Sequence, residues 1–208
     1  MAQFFSIHPT HPQKRLIRLA AEIVKGGGLV AYPTDSCYAF GCELGASAAL
    51  ERLRRIRGID ERHHLTLMCR DISEISTYAI IDDARFRLLK RVTPGSYTFI
   101  LPARRQVPRR VTSRKTIGVR IPGHPAAHAL LAELDEPMLS TTLALPGDAS
   151  PLADPQDIRR RLERQLDLIV DAGPCGTEPS TVIDLSTEPP QVLRRGKGPL
   201  APFAVEVV

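Results

Sequence analysis

One short segment constrains the fold of this chain more than any other, because an apolar run there stops at a proline and opens onto polar groups. The segment is residues 30–41, VAYPTDSCYAFG. Proline cannot donate to a sheet ladder and holds the residue before it in extended geometry, so Pro33 fits the end of a strand that begins near Gly28. Ligands bind at strand ends in open α/β sheets, so Thr34 and the two residues after it are either ligand contacts or the polar side chains of a solvated turn.

Helix-like and strand-like segments mix along the chain, which predicts a twisted, mixed α/β sheet flanked by helices in a single domain. Helices are predicted at residues 12–25, 47–57, 85–91, 126–134 and 155–166, and further strands at 65–68, 97–101, 117–120, 138–142, 168–171, 181–184 and 191–194. Thr10 with Gln13 resembles a capping box, Gly58 a helix stop and Asp154 a helix N-cap. We expect the domain to span residues 12–198, with a lead-in at 1–11 and a tail at 199–208.

Size and composition bound the class of protein. The chain has 208 residues, 43% of them hydrophobic and 25% charged, as is ordinary for a soluble globular protein. No apolar run approaches the about 20 residues of a membrane span, and the N-terminus lacks the basic flank and apolar stretch of a signal peptide. These features predict a cytoplasmic protein with no membrane partner. Four cysteines without close pairing argue against a disulfide framework and a zinc site, so no metal site is predicted in the protein.

The charge balance permits a polyanionic partner without requiring one. The chain has 28 basic and 23 acidic residues, a net charge of +5, and its cations cluster near residues 52–62, 104–115 and 194–197. Each cluster is either a solvated face or part of an anion site. His63 and His64 are likewise either phosphate contacts or general bases, or part of a solvated loop. Phosphate-binding-loop, dinucleotide and nucleophile-elbow motifs are absent, so the catalytic residues stay unknown.

Polar pairs at two-residue periods mark other predicted strands. Thr116 and Arg120 are four residues apart, so in a strand their side chains share a face. A guanidinium there suits a carboxylate or phosphate, although an exposed edge-strand pair would show the same pattern. Ser140 and Thr142 also share a face, and Ser180 opens a further strand after a glycine-rich stretch.

In chain order, these motifs resemble those of the threonylcarbamoyl-AMP synthase family, the YrdC-like proteins. The matching stretches are YPTDS at 32–36, TPGSYTFIL at 93–101, TIGVRIPGHP at 116–125, PSTVID at 179–184 and VLRRG at 192–196. The resemblance covers residues 12–198 and implies a single α/β domain with a large basic cavity. It also implies that the cavity takes L-threonine, bicarbonate and ATP, with Mg²⁺ carried by the ATP. The family forms threonylcarbamoyl-adenylate with loss of pyrophosphate, for threonylcarbamoyladenosine modification of transfer RNA.

The resemblance also assigns site residues by position. It implies that Thr34, Arg120, Ser140 and Ser180 line an L-threonine pocket, and that Arg57, Thr116, Thr142, Ser150 and Arg194 line a nucleotide pocket.

Two departures from the family pattern bear on the chemistry. The synthases carry Lys-x-Arg where this chain has Arg57 and Ile59, and Ser-x-Asn where it has Ser140 and Thr142. Losing a guanidinium and an amide removes charge stabilisation and hydrogen-bonding capacity, and the combination looks like the YciO branch of the family. The leading interpretation is a nucleotide-binding protein with weak or altered synthase activity. The alternative is a non-catalytic protein that binds double-stranded RNA or tRNA through the same basic cavity.

Overall fold

Helices and strands alternate along the chain and form one mixed sheet with helices on both faces. The computed structural model describes residues 1–61, 63–105, 107 and 115–203. The helices are α1 (Lys14–Lys25), α2 (Ser47–Arg57), α3 (Ile72–Tyr78), α4 (Asp83–Val92), α5 (Pro125–Leu134) and α6 (Pro155–Leu162). The strands are β1 (Gln3–Ser6), β2 (Val30–Tyr32), β3 (Ala39–Glu43), β4 (Thr66–Met68), β5 (Tyr97–Pro102), β6 (Thr116–Arg120), β7 (Met138–Thr142), β8 (Leu168–Asp171), β9 (Thr181–Asp184) and β10 (Gln191–Arg194). A 3₁₀ turn follows at Ala201–Phe203.

The strand order is β1-β8-β2-β3-β7-β4-β6-β5-β9-β10. Strands β1 and β2 pair in parallel with β8, β4 pairs in parallel with β6, and β5 with β9. The other pairs are antiparallel. The predicted single-domain, mixed α/β sheet is therefore confirmed.

The two faces of the sheet are covered differently. On one face, strand residues such as Phe40, Leu67 and Phe99 join a large apolar core with buried residues of α2, α3, α4 and α6. On the other face, α1 and α5 pack against Val30, Leu168 and their neighbours at the β8-β2-β3 end. Beyond that end, this second face carries polar side chains such as Ser140 and Arg120 beside a few apolar ones such as Ile100. Its uncovered half is where a ligand can reach the sheet.

Several sequence signals act as predicted. Strands β7, β8, β9 and β10 have the predicted bounds. Gly58 ends α2 in the left-handed conformation, with φ of 63°, which a glycine adopts without steric cost. The Asp154 carboxylate caps α6 by accepting the backbone N–H groups of Gln156 and Asp157 at 2.7 and 3.1 Å.

Other predictions are wrong in detail. Gln13 is itself the N-cap of α1 and makes no side-chain capping bond, because its Oε1 accepts the His8 backbone N–H at 3.0 Å. Strand β2 begins at Val30 because the Gly28 N–H is used by the Ile23 carbonyl at the helix end. Helix α6 stops at Leu162, before the predicted bound.

Three elements have no counterpart among the predicted ones: β1, β3 and α3. Strand β3 runs antiparallel to β2, so residues 33–38 form a loop between two paired strands rather than an exit from a single strand. Helix α3 is a seven-residue helix rich in β-branched residues, and the Asp71 carboxylate caps it by accepting the Glu74 N–H at 2.8 Å. Short elements of this kind depend on tertiary contacts, which the sequence pattern does not display.

The chain ends beyond the predicted domain bounds also contact the sheet, although those bounds themselves stay a prediction. Residues of β1 pair with β8, and the ring of Phe203 lies 5.3 Å from that of Tyr97, centroid to centroid. Among the helices that the structure describes, none is both long and apolar enough to cross a bilayer.

Candidate ligand-binding site

A cavity of about 520 Å³ opens over the uncovered half of the second sheet face. That volume lies within the range of small-molecule sites. The apolar part of its floor includes Ile100 of β5 and Val182 of β9, and Gly118 of β6 lies between β5 and β4. A Cβ on Gly118 would lie 3.3 Å from the Leu65 carbonyl oxygen and 3.6 Å from the Ile100 side chain. A glycine in the middle of a strand therefore leaves room above the floor.

The cavity brings together the predicted site residues with one exception. Its lining includes Thr34, Arg57, Arg120, Ser140, Thr142, Ser150, Ser180 and Arg194. Thr116, the exception, starts β6 opposite Pro102 and is not among the described lining residues, so its place in the nucleotide pocket stays a prediction.

Strand alternation accounts for this convergence. Ser140 on β7 is in register with Thr66 on β4, and Thr66 is in register with Gly118 on β6. Residues two positions along each strand share the same face, so Thr142 and Arg120 also face the cavity. The shared faces predicted from the two-residue spacings are confirmed.

Arg120 is held by an ion pair with Asp35 at one wall of the cavity. Its Nη2 donates to Asp35 Oδ1 at 2.8 Å, and its Nη1 donates to Ser36 Oγ at 3.0 Å. Asp35 also accepts the Ser96 hydroxyl at 2.6 Å and the Gly123 N–H at 3.0 Å. Burial by itself would raise the pKa of Asp35, but Arg120 and these two donors lower the pKa below its ordinary value. The carboxylate is therefore charged and fixes the guanidinium.

Arg120 also lines the cavity. The residue is 6% exposed, and two of its five N–H groups donate to Asp35 and Ser36. Its Nε is itself buried and has no hydrogen-bond partner in the described part of the chain. A guanidinium is built to bind carboxylates and phosphates, so Arg120 is a fixed cation at which an acidic oxygen of a ligand can bind.

Thr34 organises its own loop while it lines the cavity. Its hydroxyl donates to the Cys37 carbonyl oxygen at 2.7 Å and lies within reach of the Ser36 and Cys37 backbone N–H groups, at 3.2 and 3.3 Å. Because the single Thr34 proton goes to Cys37, the Ser36 hydroxyl is the donor in the 3.1 Å contact between the two side chains. Thr34 therefore has no proton for the cavity, and its oxygen already accepts hydrogen bonds within its own loop.

A second basic wall comes from Arg57 and Arg194. Arg57 Nη1 donates to the Ala144 carbonyl oxygen at 2.7 Å, and its buried Nε lacks a partner among the described residues. Arg194 donates through Nε and Nη2 to the Ser180 carbonyl oxygen, at 3.1 and 2.9 Å. Burial lowers the pKa of both groups from the ordinary arginine value, which is so high that both remain cationic. Two fixed guanidiniums that line the same cavity suit a polyanion.

His63 and His64, for which the sequence left both a ligand-contact and a solvated-loop interpretation open, line the cavity. Burial, followed by the charges of Arg57 and His64, lowers the pKa of His63. His63 is therefore mostly neutral at pH 7.

Few acidic side chains are found among the described lining residues. Asp148 is the carboxylate in the lining set, and it pairs with Arg161 at 2.8 Å. No group of three histidine, cysteine, aspartate or glutamate side chains could hold a metal ion in the part of the chain that the structure describes. Arginine side chains outnumber carboxylates in the described lining, and those residues form no cation cage.

Three residues near the site, Asp35, Ser36 and Ile59, belong to neither the implied L-threonine pocket nor the implied nucleotide pocket. Ser36 and Asp35 hold Arg120, and their position next to Thr34 was the available signal. Ile59, at the position of a family cation, packs against the large core and is not among the described lining residues.

Known proteins with this fold include close and more distant relatives. The family model Sua5_yciO_yrdC, described as "Telomere recombination", matches residues 22–196. "Uncharacterized protein YciO" of Escherichia coli strain K12 is 54% identical over 205 residues, which are 98% of this chain and 100% of the relative. Its crystal structure has a TM-score of 0.93 to this chain.

More distant relatives carry named functions. A threonylcarbamoyl-AMP synthase of Nitrosococcus oceani is 35% identical over 156 residues, which are 74% of this chain and 84% of that protein. The crystal structure of P. abyssi Sua5 complexed with L-threonine is 28% identical, with a TM-score of 0.85 over 93% of this chain and 57% of that one. With its family model matched over most of its length and its fold shared with these proteins, the chain belongs to the Sua5/YciO/YrdC family.

Proposed function

We propose that the cavity binds L-threonine and MgATP and that the protein forms threonylcarbamoyl-adenylate, more slowly than the synthases do. The observation that carries the proposal is Arg120, which lines the cavity wall at 6% exposure and is fixed there by Asp35 and Ser36. Such a donor suits the carboxylate of a small amino acid. The solved relative in complex with L-threonine supports the choice of amino acid.

The second basic wall supports a nucleotide. Arg57 and Arg194 are fixed by the backbone carbonyls of Ala144 and Ser180, so their remaining N–H groups are oriented before a ligand arrives. Preorganised cations stabilise the charge that develops on a phosphate during transfer. Thr142 and Ser150 add hydroxyls to the same lining. We take Mg²⁺ to enter with ATP as part of the substrate, since magnesium commonly keeps its waters and bridges phosphates.

The proposed reaction needs positioning and charge stabilisation rather than a covalent enzyme intermediate. The amine of L-threonine and bicarbonate combine with loss of water to give a carbamate. A carbamate oxygen then attacks the α-phosphorus of ATP, and the bond from that phosphorus to the bridging oxygen of the β-phosphate breaks. Pyrophosphate leaves with the bond electrons. Holding both reactants in one cavity supplies the main advantage, because it replaces an encounter in solution.

Two sequence departures account for the expected slow rate. Thr142 offers one hydroxyl where the synthases carry an amide, and Ile59 faces the core where they carry a cation. The product would serve threonylcarbamoyladenosine modification of tRNA, as the resemblance to the synthase family implies.

The direct test incubates the pure protein with MgATP, bicarbonate and labelled L-threonine, and measures the adenylate and pyrophosphate. We expect both products in equal amounts, and none when any one substrate is omitted. Binding of ATP and threonine without either product would overturn the catalytic proposal.

A separate measurement addresses RNA. A duplex cannot enter a cavity of about 520 Å³, so RNA would have to bind across the mouth. Tight, salt-sensitive binding of double-stranded RNA or tRNA by a protein that binds neither small substrate would favour the non-catalytic alternative.

A further inference from the structure

A buried tyrosine touches the cavity wall from the helix-covered half of the sheet. Tyr32 is fully buried in the core formed by α1 and α5, and its ring passes over Gly41 of β3, whose added Cβ would lie 2.9 Å from a ring carbon. The Tyr32 hydroxyl lies 2.7 Å from Ser140 Oγ, and Ser140 lines the cavity. The tyrosine therefore acts on the cavity through Ser140 and is not itself among the described lining residues.

Counting protons fixes the direction of these hydrogen bonds. The Ser140 hydroxyl donates to the Phe40 carbonyl oxygen at 2.9 Å. Ser140 has a single proton, so Tyr32 must be the donor in the contact between the two hydroxyls. The reverse direction would leave the buried Tyr32 proton without an acceptor among the described residues, which is costly. Burial raises the pKa of Tyr32 far above neutrality, so that proton is always present.

With two of its hydrogen bonds fixed, Ser140 has one lone pair left for the cavity. An oxygen in this state accepts a hydrogen bond and cannot donate one. We propose that Tyr32 is a positioning residue that fixes Ser140 as an acceptor for the amino group of L-threonine, and so sets the direction of the amino acid in the cavity. This inference rests on the proposed function of the site.

Arg120 has the opposite hydrogen-bonding character to Ser140, since it is a cationic donor and Ser140 is an acceptor. Arg120 lies on β6, separated from Ser140 on β7 by β4 alone, and it lines the cavity as a fixed cation. Neighbouring strands are about 4.8 Å apart, so the backbones of β6 and β7 lie about 10 Å apart across β4. A carboxylate is attracted to Arg120 and repelled by the Ser140 lone pair, whereas an amino group has the reverse preference. Threonine therefore fits in one direction.

The test compares Tyr32→Phe with Tyr38→Phe. Tyr38 is equally buried, and its hydroxyl donates to the Gly173 carbonyl oxygen at 2.8 Å, but it is not among the described lining residues. Each variant is titrated calorimetrically with L-threonine and with 3-hydroxybutanoate, which has the carboxylate and the hydroxyl but no polar group in place of the amine. Thermal unfolding checks that each variant folds.

We expect Tyr32→Phe to weaken L-threonine binding about fivefold, the value of one oriented hydrogen bond. The amine-free analogue should bind the wild type and this variant alike, and Tyr38→Phe should change neither affinity. Equal L-threonine affinity in Tyr32→Phe and wild type would overturn the inference, as would an equal loss for both ligands. Failure of the wild type to bind L-threonine at all would instead overturn the proposed function, and this inference with it.

A double-variant cycle shows whether Tyr32 acts through Ser140. If it does, Ser140→Ala and the Tyr32→Phe/Ser140→Ala protein bind L-threonine equally weakly, because the second change removes nothing further. Additive losses would mean that Tyr32 acts by another route, and would overturn the assignment. Unfolding of the same proteins gives an independent readout, since Ser140→Ala alone strands the Tyr32 proton and the double variant does not.

Discussion

Two halves of one sheet face differ in what covers them, and the difference shows how a single pleat produces both a core and a binding site. Strand β7 crosses the boundary. Its first residue, Met138, lies in the core under α1 and α5, while Ser140 and Thr142, two and four residues later, line the cavity. The geometry of the strand is the same throughout. Side-chain type and helix coverage alone decide whether a position stabilises the fold or meets a ligand.

The polar half stays ordered because its groups bind one another. Asp35 holds Arg120, Ser36 accepts from Arg120, and Ser180 pairs with Thr98 at 2.8 Å. A satisfied network of this kind is rigid, whereas a partly satisfied one is costly. The open hydrogen-bonding positions that remain are therefore few and directional.

The largest effect is expected from removing Arg120 in the cavity half, where a side chain should serve ligand binding rather than stability. We expect Arg120→Ala to lower threonine-dependent adenylate formation about 100-fold, because a preorganised charge in an enclosed site is removed. The assay is the labelled-threonine reaction. Arg160→Ala, which removes the exposed partner of Asp157, is the matched control and should leave the rate unchanged. Arg120→Lys keeps a charge beside Asp35 and checks that lost activity is not lost folding. Unchanged turnover in Arg120→Ala would contradict the carboxylate placement.

Substitutions at two glycines compare the helix-covered half of the sheet face with the cavity half. A Cβ on Gly41 would lie 2.6 Å from the Met138 sulfur in the covered half, so Gly41→Ala should cost about 1–3 kcal/mol in unfolding free energy. Gly118 in the cavity half has its nearest neighbour at 3.3 Å, so Gly118→Ala should cost less stability and weaken ligand binding instead. Urea unfolding and L-threonine titration measure the two effects. The comparison fails if both variants lose mainly stability.

A smaller and opposite effect is expected at Thr142. Thr142→Asn supplies the amide that the synthases carry, with both a donor and an acceptor, and should raise adenylate formation about tenfold. Ile59→Arg should bring no such gain and should lower stability, because Ile59 packs against the core. A rate increase in Ile59→Arg would show that this position reaches the cavity after all.

The smallest expected effect is a pH dependence of stability. The pKa of Asp35 is lowered in the folded protein, so its ion pair stabilises the fold at neutral pH. That contribution is present above about pH 4, the ordinary range for aspartate, and is lost as the pH falls through the lower folded value. Unfolding of wild type and Asp35→Asn should differ most near pH 6 and converge in acid. Asp157→Asn, in an exposed pair, should show a much weaker trend.

The sequence could predict much of the fold for local reasons. The two-residue polar period of β7, the glycine after α2 and the aspartate before α6 each act through neighbours in the chain, and each is confirmed. Strand β3 and helix α3 were not predicted, because their stability comes from strand pairing and packing with distant segments.

The sequence by itself determined the chemistry available to the site: which residues carry guanidiniums and hydroxyls, and which of them share a face of a strand. Only the tertiary structure decided that α1 and α5 leave half of one sheet face uncovered, that Asp35 occupies one side of Arg120, and that Ile59 faces the core. It also decided that Tyr32 donates to Ser140. The physical reason is that the direction of a hydrogen bond depends on where every neighbouring proton goes, and those neighbours come from strands far apart in the chain.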